Sequence, residues 1–63
     1  MSKEVVDGEY VIRLDTYSTG YFVQFSLYRN GVYIKSGGGY TETEALSDAK
    51  TWIKIDKKER GLV

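Results

Sequence analysis

The sequence predicts an α+β fold, in which a three-stranded antiparallel sheet is followed by one C-terminal helix packed on one sheet face. Two observations predict the sheet. Apolar residues alternate with polar ones over residues 9–15 and 21–29, as strands with one buried face require, and the pair Asn30-Gly31 then precedes a further strand-like run. The third observation predicts the helix, because apolar residues recur at helical spacing after Thr41. The expected order is therefore β-β-β-α within a single domain that spans residues 1–63.

The three strands are expected at residues 9–15, 21–29 and 32–36, after a flexible N-terminal tail over residues 1–8. Asn30-Gly31 favours a two-residue hairpin loop, because a type I′ turn needs positive φ at both central residues. That loop sets Tyr28 opposite Tyr33 and Leu27 opposite Ile34, and a four-residue loop at 16–19 sets Leu14 opposite Tyr21. The apolar face predicted by this register consists of Tyr10, Ile12, Leu14, Val23, Phe25, Leu27, Val32 and Ile34.

The helix is expected to begin after Thr41, which is placed to form a capping box with Glu44. Acidic residues are concentrated in its early turns and lysines in its late turns, as the helix dipole favours. Gly61 suits the C-terminal cap. The apolar stripe that would face the sheet consists of Ala45, Leu46, Ala49, Trp52 and Ile53.

Three consecutive glycines, Gly37, Gly38 and Gly39, precede this helix and raise the question of an anion site. Glycine-rich loops at helix N-termini can hold phosphates. Here Glu42 and Glu44 would occupy the first turn and repel an anion, and neither a GK[ST] nor a GxGxxG motif is present. We interpret the glycines as a tight path from the edge strand to the helix.

The composition argues against catalysis and metal binding. The chain has no His and no Cys, so it lacks the commonest acid–base group at neutral pH, a thiol nucleophile and the commonest zinc ligands. Nine basic and nine acidic residues give a net charge of zero, which weighs against a dedicated nucleic-acid binder. We expect no enzyme, no cofactor and no metal. Without a long apolar run or a signal-like start, a cytoplasmic protein without membrane contact is expected.

The sheet face away from the helix would remain open, and it is rich in aromatic side chains. Tyrosine and arginine are favoured in protein interfaces, so this face could bind a protein or a second copy of the chain. The structural alternative is that aromatic residues simply favour strands and pair across them, as Tyr28 would with Tyr33. The candidate partner-binding residues on this face are Arg13, Phe22, Gln24, Tyr28, Tyr33 and Lys35.

Nucleic acid is the second partner class that the residues suggest. Aromatic side chains beside Arg13, Arg29 and Lys35 could stack single-stranded bases. A basic helix end could also contact phosphates, although lysines there are commonly solvated and matched to the helix dipole. The candidate nucleic-acid residues at this helix end are Lys54, Lys57, Lys58 and Arg60.

Three segments carry resemblances to known families. The runs "GYFVQF" and "YTETEALSDAKTWI" are similar to the HicB-type antitoxin domain, with matches at Gly20, Tyr21, Val23, Thr41, Glu44, Ala45, Leu46, Ala49, Lys50 and Ile53. The Pro-rich segment of that family is replaced here by "YRNGVYIKSGGGY". The run "FSLYRNGVYIKSGGGYT" resembles the YegP-type small domain. More remotely, three strands and a helix resemble the integrase arm-binding and ethylene-response DNA-binding domains, which insert basic strands into the major groove.

These resemblances imply a non-enzymatic binding role on a β-β-β-α fold. We therefore expect a small protein–protein interaction module, such as an inhibitor or accessory protein of the kind that phages and mobile elements encode. The alternative is a nucleic-acid-binding module that uses the sheet face or the basic helix end.

Overall fold

The computed structural model describes residues 2–16 and 22–61, and the fold is a four-stranded antiparallel sheet with one helix on one face. The strands lie side by side in chain order, and each is antiparallel to its neighbours. The elements are β1 Ser2–Asp7, β2 Tyr10–Thr16, β3 Val23–Arg29, β4 Val32–Gly39 and the helix α1 Glu42–Glu59.

The three-stranded sheet expected from the sequence is wrong by one strand. Residues 2–7, which were expected to form a tail, pair with β2 from Ser2 opposite Asp15 to Asp7 opposite Tyr10. Gly8 opens the two-residue loop between these strands with a φ of 62°. A glycine with positive φ at this position is typical of a type II′ hairpin turn.

The β3–β4 hairpin confirms the predicted loop. Asn30 and Gly31 have φ values of 52° and 81°, and Tyr28 lies opposite Tyr33. The next predicted pair is wrong, because Leu27 lies opposite Lys35, and the register shifts between Leu27 and Tyr28. Such a β-bulge inserts one extra residue in one strand and re-aims the side chains beyond it.

The predicted register between the first two predicted strands is also wrong. Leu14 lies opposite Phe25, four residues beyond the expected Tyr21, since β2 continues to Thr16 and β3 begins only at Val23. A shift by an even number of residues keeps each side chain on its face. The predicted core face therefore survives the error. Tyr21 and residues 17–19 of the expected loop lie outside the described residues.

The core lies between the sheet and α1. Six of the eight strand residues predicted for the apolar face are buried. The prediction is wrong for Val32, which is 63% exposed because it lies at the hairpin end of β4. Ile34 is only partly buried against the core. The helix stripe is confirmed, with Leu46 and Trp52 partly buried at its margins. The buried residues are Tyr10, Ile12, Leu14, Val23, Phe25, Leu27, Ala45, Ala49 and Ile53.

The helix is capped at both predicted ends, but the reciprocal hydrogen bond of the predicted capping box comes from the Tyr40 amide instead of the Thr41 amide. The Thr41 hydroxyl accepts a hydrogen bond from the Glu44 amide at 3.1 Å, and the Glu44 carboxylate accepts one from the Tyr40 amide at 3.3 Å. At the other end Gly61 has a φ of 74°, and its amide donates to the Lys58 carbonyl at 3.1 Å. Side-chain capping of the first turn and a left-handed glycine after the last turn satisfy backbone groups that the helix leaves unpaired.

The three consecutive glycines belong to β4, so the expectation that they form the turn into the helix is wrong. Their role is close packing on both faces of the strand. A Cβ atom at Gly37 would lie 2.8 Å from the Phe25 ring, and one at Gly39 would lie 2.7 Å from the Glu44 Cβ atom. These glycines therefore let the start of α1 lie directly on the sheet.

Replacing Gly38 with alanine is expected to destabilise the fold, because the new Cβ atom would lie 2.5 Å from the Val23 carbonyl oxygen and 2.7 Å from the Phe22 ring. A backbone atom cannot move aside without separating β3 from β4. We expect a cost of about 1–3 kcal/mol, measured by thermal unfolding followed by circular dichroism. Ser36→Ala, two residues away on the same strand, is the matched control. Equal unfolding temperatures for the two variants would contradict this account.

Candidate functional site

A single row of apolar side chains crosses all four strands on the sheet face opposite α1. Val6, Val11, Tyr28 and Tyr33 are paired in sequence across β1, β2, β3 and β4, and we call them the apolar row. Val6 is 70% exposed and Tyr33 55% exposed. Because α1 packs on the other face, nothing among residues 2–16 and 22–61 covers this row.

The two tyrosines of the apolar row contact each other edge to face. Their ring centroids lie 5.8 Å apart with an angle of 68° between the ring planes, which is a favoured geometry for aromatic pairs. The pairing predicted from the hairpin is thus confirmed as a direct contact. It holds both rings in place and leaves Tyr33 accessible to a partner.

A polar row runs beside the apolar row. Glu4, Arg13, Ser26 and Ser36 are paired across the four strands, and the Arg13 guanidinium also lies 3.5 Å from the Asp15 carboxylate. A shallow depression of about 260 Å³ lies where the two rows meet. Its lining residues are Glu4, Val11, Arg13, Tyr28 and Gly31.

Phe22 and Gln24 lie at the far end of this face. The Phe22 ring lies against Gly38, and Phe22 remains 43% exposed. Gln24 is partly buried and lies opposite Asp15 on β2 and Gly38 on β4. The structure therefore places five predicted partner-binding residues on one face: Arg13, Phe22, Gln24, Tyr28 and Tyr33.

The sixth, Lys35, lies on the opposite side of the sheet, and this corrects the sequence prediction. Its ammonium nitrogen lies 4.1 Å from the centre of the Trp52 ring on α1, a cation–π distance. The bulge in the β3–β4 pairing causes the change, because it sets Lys35 opposite the core residue Leu27.

The predicted basic helix end is partly engaged within the chain. The Arg60 guanidinium lies 2.7 Å from Glu9 and 3.5 Å from Asp56. The Lys57 ammonium lies 5.8 Å from the centre of the Tyr10 ring. Lys54 and Lys58 are exposed to solvent.

Sequence analysis missed a polar cluster at this end of the sheet, which we call the Asp56 cluster: Tyr10, Arg29, Asp56 and Arg60. The Tyr10 hydroxyl donates to the Asp56 carboxylate at 2.5 Å, and one Arg29 nitrogen donates to the two oxygens at 2.7 and 2.8 Å. The Asp56 side chain is only 15% exposed. These donors compensate a charge that would otherwise be costly to bury.

The contacts of the Asp56 cluster shift the pKa values of Asp56, Tyr10 and Arg29. Hydrogen bonds from Tyr10 and then Arg29 hold the pKa of the Asp56 carboxyl below its ordinary value, since they stabilise the charged form. Burial, followed by the hydrogen bond to Asp56, raises the pKa of the Tyr10 hydroxyl. The hydrogen bond to Asp56 raises the pKa of Arg29. The cluster therefore favours neutral Tyr10 and ionised Asp56 together.

A sequence signal for this cluster existed. Asp56 continues the helical spacing of Ala45, Ala49 and Ile53, and Arg29 continues the strand alternation of the core residues in β3. Opposite charges at the ends of two core-facing stripes predict an ion pair at the margin of the core. The geometry is structural, because both acceptor oxygens are occupied by groups of the chain itself.

Within residues 2–16 and 22–61 no group of three or more His, Cys, Asp or Glu side chains could hold a metal ion. Over the same residues, no helix has the length and apolar character needed to cross a membrane.

Comparisons of the chain with family models, with curated proteins and with solved structures gave no match. The resemblances to HicB-type and YegP-type domains therefore stay predictions. Of the residues matched to the first of these, Gly20 and Tyr21 lie outside the described residues.

Proposed function

We propose that this chain is a non-enzymatic protein-binding module whose contact surface is the open face of the sheet. The observation that carries the proposal is the apolar row, which crosses all four strands without cover from α1. Contiguous apolar surface of this kind on a small domain is characteristic of interaction sites.

The layout of the face supports a protein partner. Tyrosine provides a large contact area with few rotatable bonds, and interfaces commonly combine an aromatic centre with a polar rim. Here Tyr28 and Tyr33 form the centre, while Arg13 and Glu4 belong to the adjoining polar row. The surface is shallow rather than deeply concave, as suits a protein surface better than a small molecule.

The arrangement of the cations favours a protein over nucleic acid as the partner. Of the cations expected beside the aromatic rings, Lys35 contacts Trp52 and Arg29 contacts Asp56 on the helix side of the sheet. The open face keeps Arg13, which has Asp15 and Glu4 as neighbours. Binding of single strands uses a positively charged groove beside stacked aromatic rings, whereas this face sets one cation, Arg13, beside two carboxylates, Glu4 and Asp15.

An inhibitor or accessory protein would act through such a face by covering a surface of its partner. That role needs no reacting group, in keeping with a sequence that has no His and no Cys. It needs a rigid, exposed surface on a small domain, and a hydrogen-bonded sheet supplies one.

Tyr28→Ala combined with Tyr33→Ala is expected to abolish partner binding and leave the fold intact. Neither side chain belongs to the buried core, so the double variant should keep the wild-type circular dichroism spectrum. We would immobilise the wild type, the double variant and the control Lys50→Ala/Lys54→Ala, which alters the outer face of α1. Each would be exposed to a nuclease-treated cell extract and to a mixed oligonucleotide pool at low and high salt.

Proteins retained by the wild type and the control, but lost with the double variant, would support the proposal. Proteins retained equally by all three would remove it. Oligonucleotide capture that weakens steeply with salt and depends on the two tyrosines would assign the face to nucleic acid instead.

A further inference from the structure

Strand β1 forms one edge of the sheet, and among residues 2–16 and 22–61 only β2 packs along it. Its six residues pair with β2 in an unbroken register, and an edge strand exposes a row of unpaired N–H and C=O groups to further pairing. The opposite edge, β4, contacts α1 and contains the bulge. Strand β1 has no bulge or proline, and α1 reaches it through the ion pair of Glu42 with Lys3 at 3.1 Å. Charged side chains protect many natural edges from pairing, and β1 carries Lys3, Glu4 and Asp7, so a strand that pairs here must match these charges.

We propose that β1 pairs antiparallel with β1 of a second copy of this chain, across a twofold axis that sets Val5 opposite the partner's Val5. The two sheets would then join into one continuous sheet of eight strands, with both helices on the same side. The proposal goes beyond the binding role of the open face, because it uses the edge of the sheet and a different set of residues.

The charges of β1 are self-complementary in this register. Lys3 lies opposite the partner's Asp7 and Asp7 opposite the partner's Lys3, so that two ion pairs flank the central valines. All of these residues lie on the helix side of the sheet, because Lys3, Val5 and Asp7 are paired with the core residues Leu14, Ile12 and Tyr10. Cross-strand pairs of opposite charge stabilise a sheet, and pairs of like charge destabilise it.

Neighbouring registers are less favourable. Facing side chains must lie on the same side of the joined sheet. The partner strand can therefore shift only by two residues at a time, because side chains alternate between the two faces. The next register toward the N-terminus sets Glu4 opposite the partner's Glu4, a pair of like charges. The next one in the other direction sets Val6 opposite the partner's Val6 and keeps only residues 5–7 in contact, whereas the proposed register pairs residues 3–7.

The exposure of the β1 side chains matches this arrangement. Asp7 is exposed and forms no ion pair with any residue in the described ranges 2–16 and 22–61. The Lys3 side chain stays 58% exposed despite its contact with Glu42. Val5 packs against the core at its margin, and the second strand would cover its remaining surface. An edge contact of this size lies at the small end of specific interfaces, so we expect a dissociation constant in the micromolar range.

Sedimentation equilibrium with charge-reversed variants tests the proposal. The wild type, Lys3→Glu, Asp7→Lys and an equimolar mixture of these two variants would be compared from about 10 µM to about 1 mM. Each single variant sets like charges opposite each other twice, which should raise the dissociation constant about tenfold or more. In the mixture both contacts join a carboxylate with an ammonium group, so a mixed dimer should form with roughly the wild-type affinity.

Three controls make the result specific to β1. Lys50→Glu and Glu59→Lys carry the same changes of net charge on α1 and should each dimerise as the wild type does. Glu42→Gln removes the ion pair of Lys3 within the chain and should leave dimerisation unchanged. Tyr28→Ala/Tyr33→Ala should also dimerise normally, which separates this proposal from that of the open face.

The proposal would be overturned by a wild type that stays monomeric at the highest concentration. A dimer that both charge-reversed variants retain would overturn it as well. So would single variants that dissociate without forming a mixed dimer, because the loss would then not depend on the paired charges. Circular dichroism of each variant, unchanged from the wild type, would show that the fold is intact.

Discussion

Replacing Phe25 with alanine is expected to unfold much of the protein at 25 °C. Phe25 is fully buried in β3, and its ring lies against Gly37. Truncating such a side chain leaves a cavity and costs about 3–5 kcal/mol. A domain of 63 residues has a total stability of roughly 3–9 kcal/mol on a per-residue basis. The loss is therefore comparable to everything that holds the fold together.

Urea unfolding followed by circular dichroism would measure this cost. Trp52→Ala is the matched control, since it removes a larger ring from the margin of the core, where Trp52 is only partly buried. We expect the control to remain folded in water and to lose less stability than Phe25→Ala. If Trp52→Ala proved the more damaging of the two, the core would be centred on the helix margin rather than on β3.

The position of Phe25 in the core followed from alternation in the sequence. The other five strand residues predicted to be buried on the same face are buried, although the predicted pairing of β2 with β3 was wrong by four residues: Tyr10, Ile12, Leu14, Val23 and Leu27. The face on which a side chain lies depends only on its place in the alternation along its own strand, and the sequence shows that alternation directly. The register depends on loop length, and polar loop residues alone do not fix where the flanking strands end.

Strand β1 was missed because its own side chains hardly alternate. Val5 and Val6 are adjacent, and charged residues surround them, as suits an edge strand with most of its surface exposed. The local signal that could have revealed it was Gly8 after Asp7, because a glycine can take the first position of a two-residue type II′ loop, whereas Asn30-Gly31 fills both positions of a type I′ loop. An Asp-Gly pair indicates a hairpin only when strands are recognised on both sides.

The open face was largely predictable, and the misplaced Lys35 shows the limit. Alternation along each strand predicted that five residues share the open face, and the structure places them there: Arg13, Phe22, Gln24, Tyr28 and Tyr33. The bulge beyond Tyr28 has no proline or other marker in the sequence, and it reverses the side of the following residue in β4. The sequence also predicts a turn at the glycines after the bulge. Glycine occurs both in turns and in strands that another group approaches closely, and the sequence alone does not distinguish the two.

The Asp56 cluster gives a second large expected effect. Asp56→Ala should lower the free energy of unfolding by about 2–3 kcal/mol at neutral pH, because the buried Tyr10 hydroxyl loses its charged acceptor and Arg29 loses its partner. Tyr10→Phe is the matched control. This variant removes one hydroxyl, keeps the aromatic ring in the core and keeps the ion pair of Asp56 with Arg29. The free energy of unfolding should therefore fall by only about 1 kcal/mol. Equal losses would mean that the hydroxyl alone accounts for the contribution of Asp56.

The pH dependence of stability tests the same cluster independently. The folded pKa of Asp56 is lowered from an ordinary value of 3.8, so its contribution is present above that pH and disappears as the pH falls through the lower folded value. The pKa of Tyr10 is raised from 10.0, so its contribution is present below pH 10 and disappears as the pH rises through the higher folded value. Urea unfolding across pH should therefore show the advantage of the wild type over Asp56→Ala shrinking on the acid side of about pH 4. An advantage that stayed constant into strong acid would show that packing, and not the ionised carboxylate, makes Asp56 stabilising.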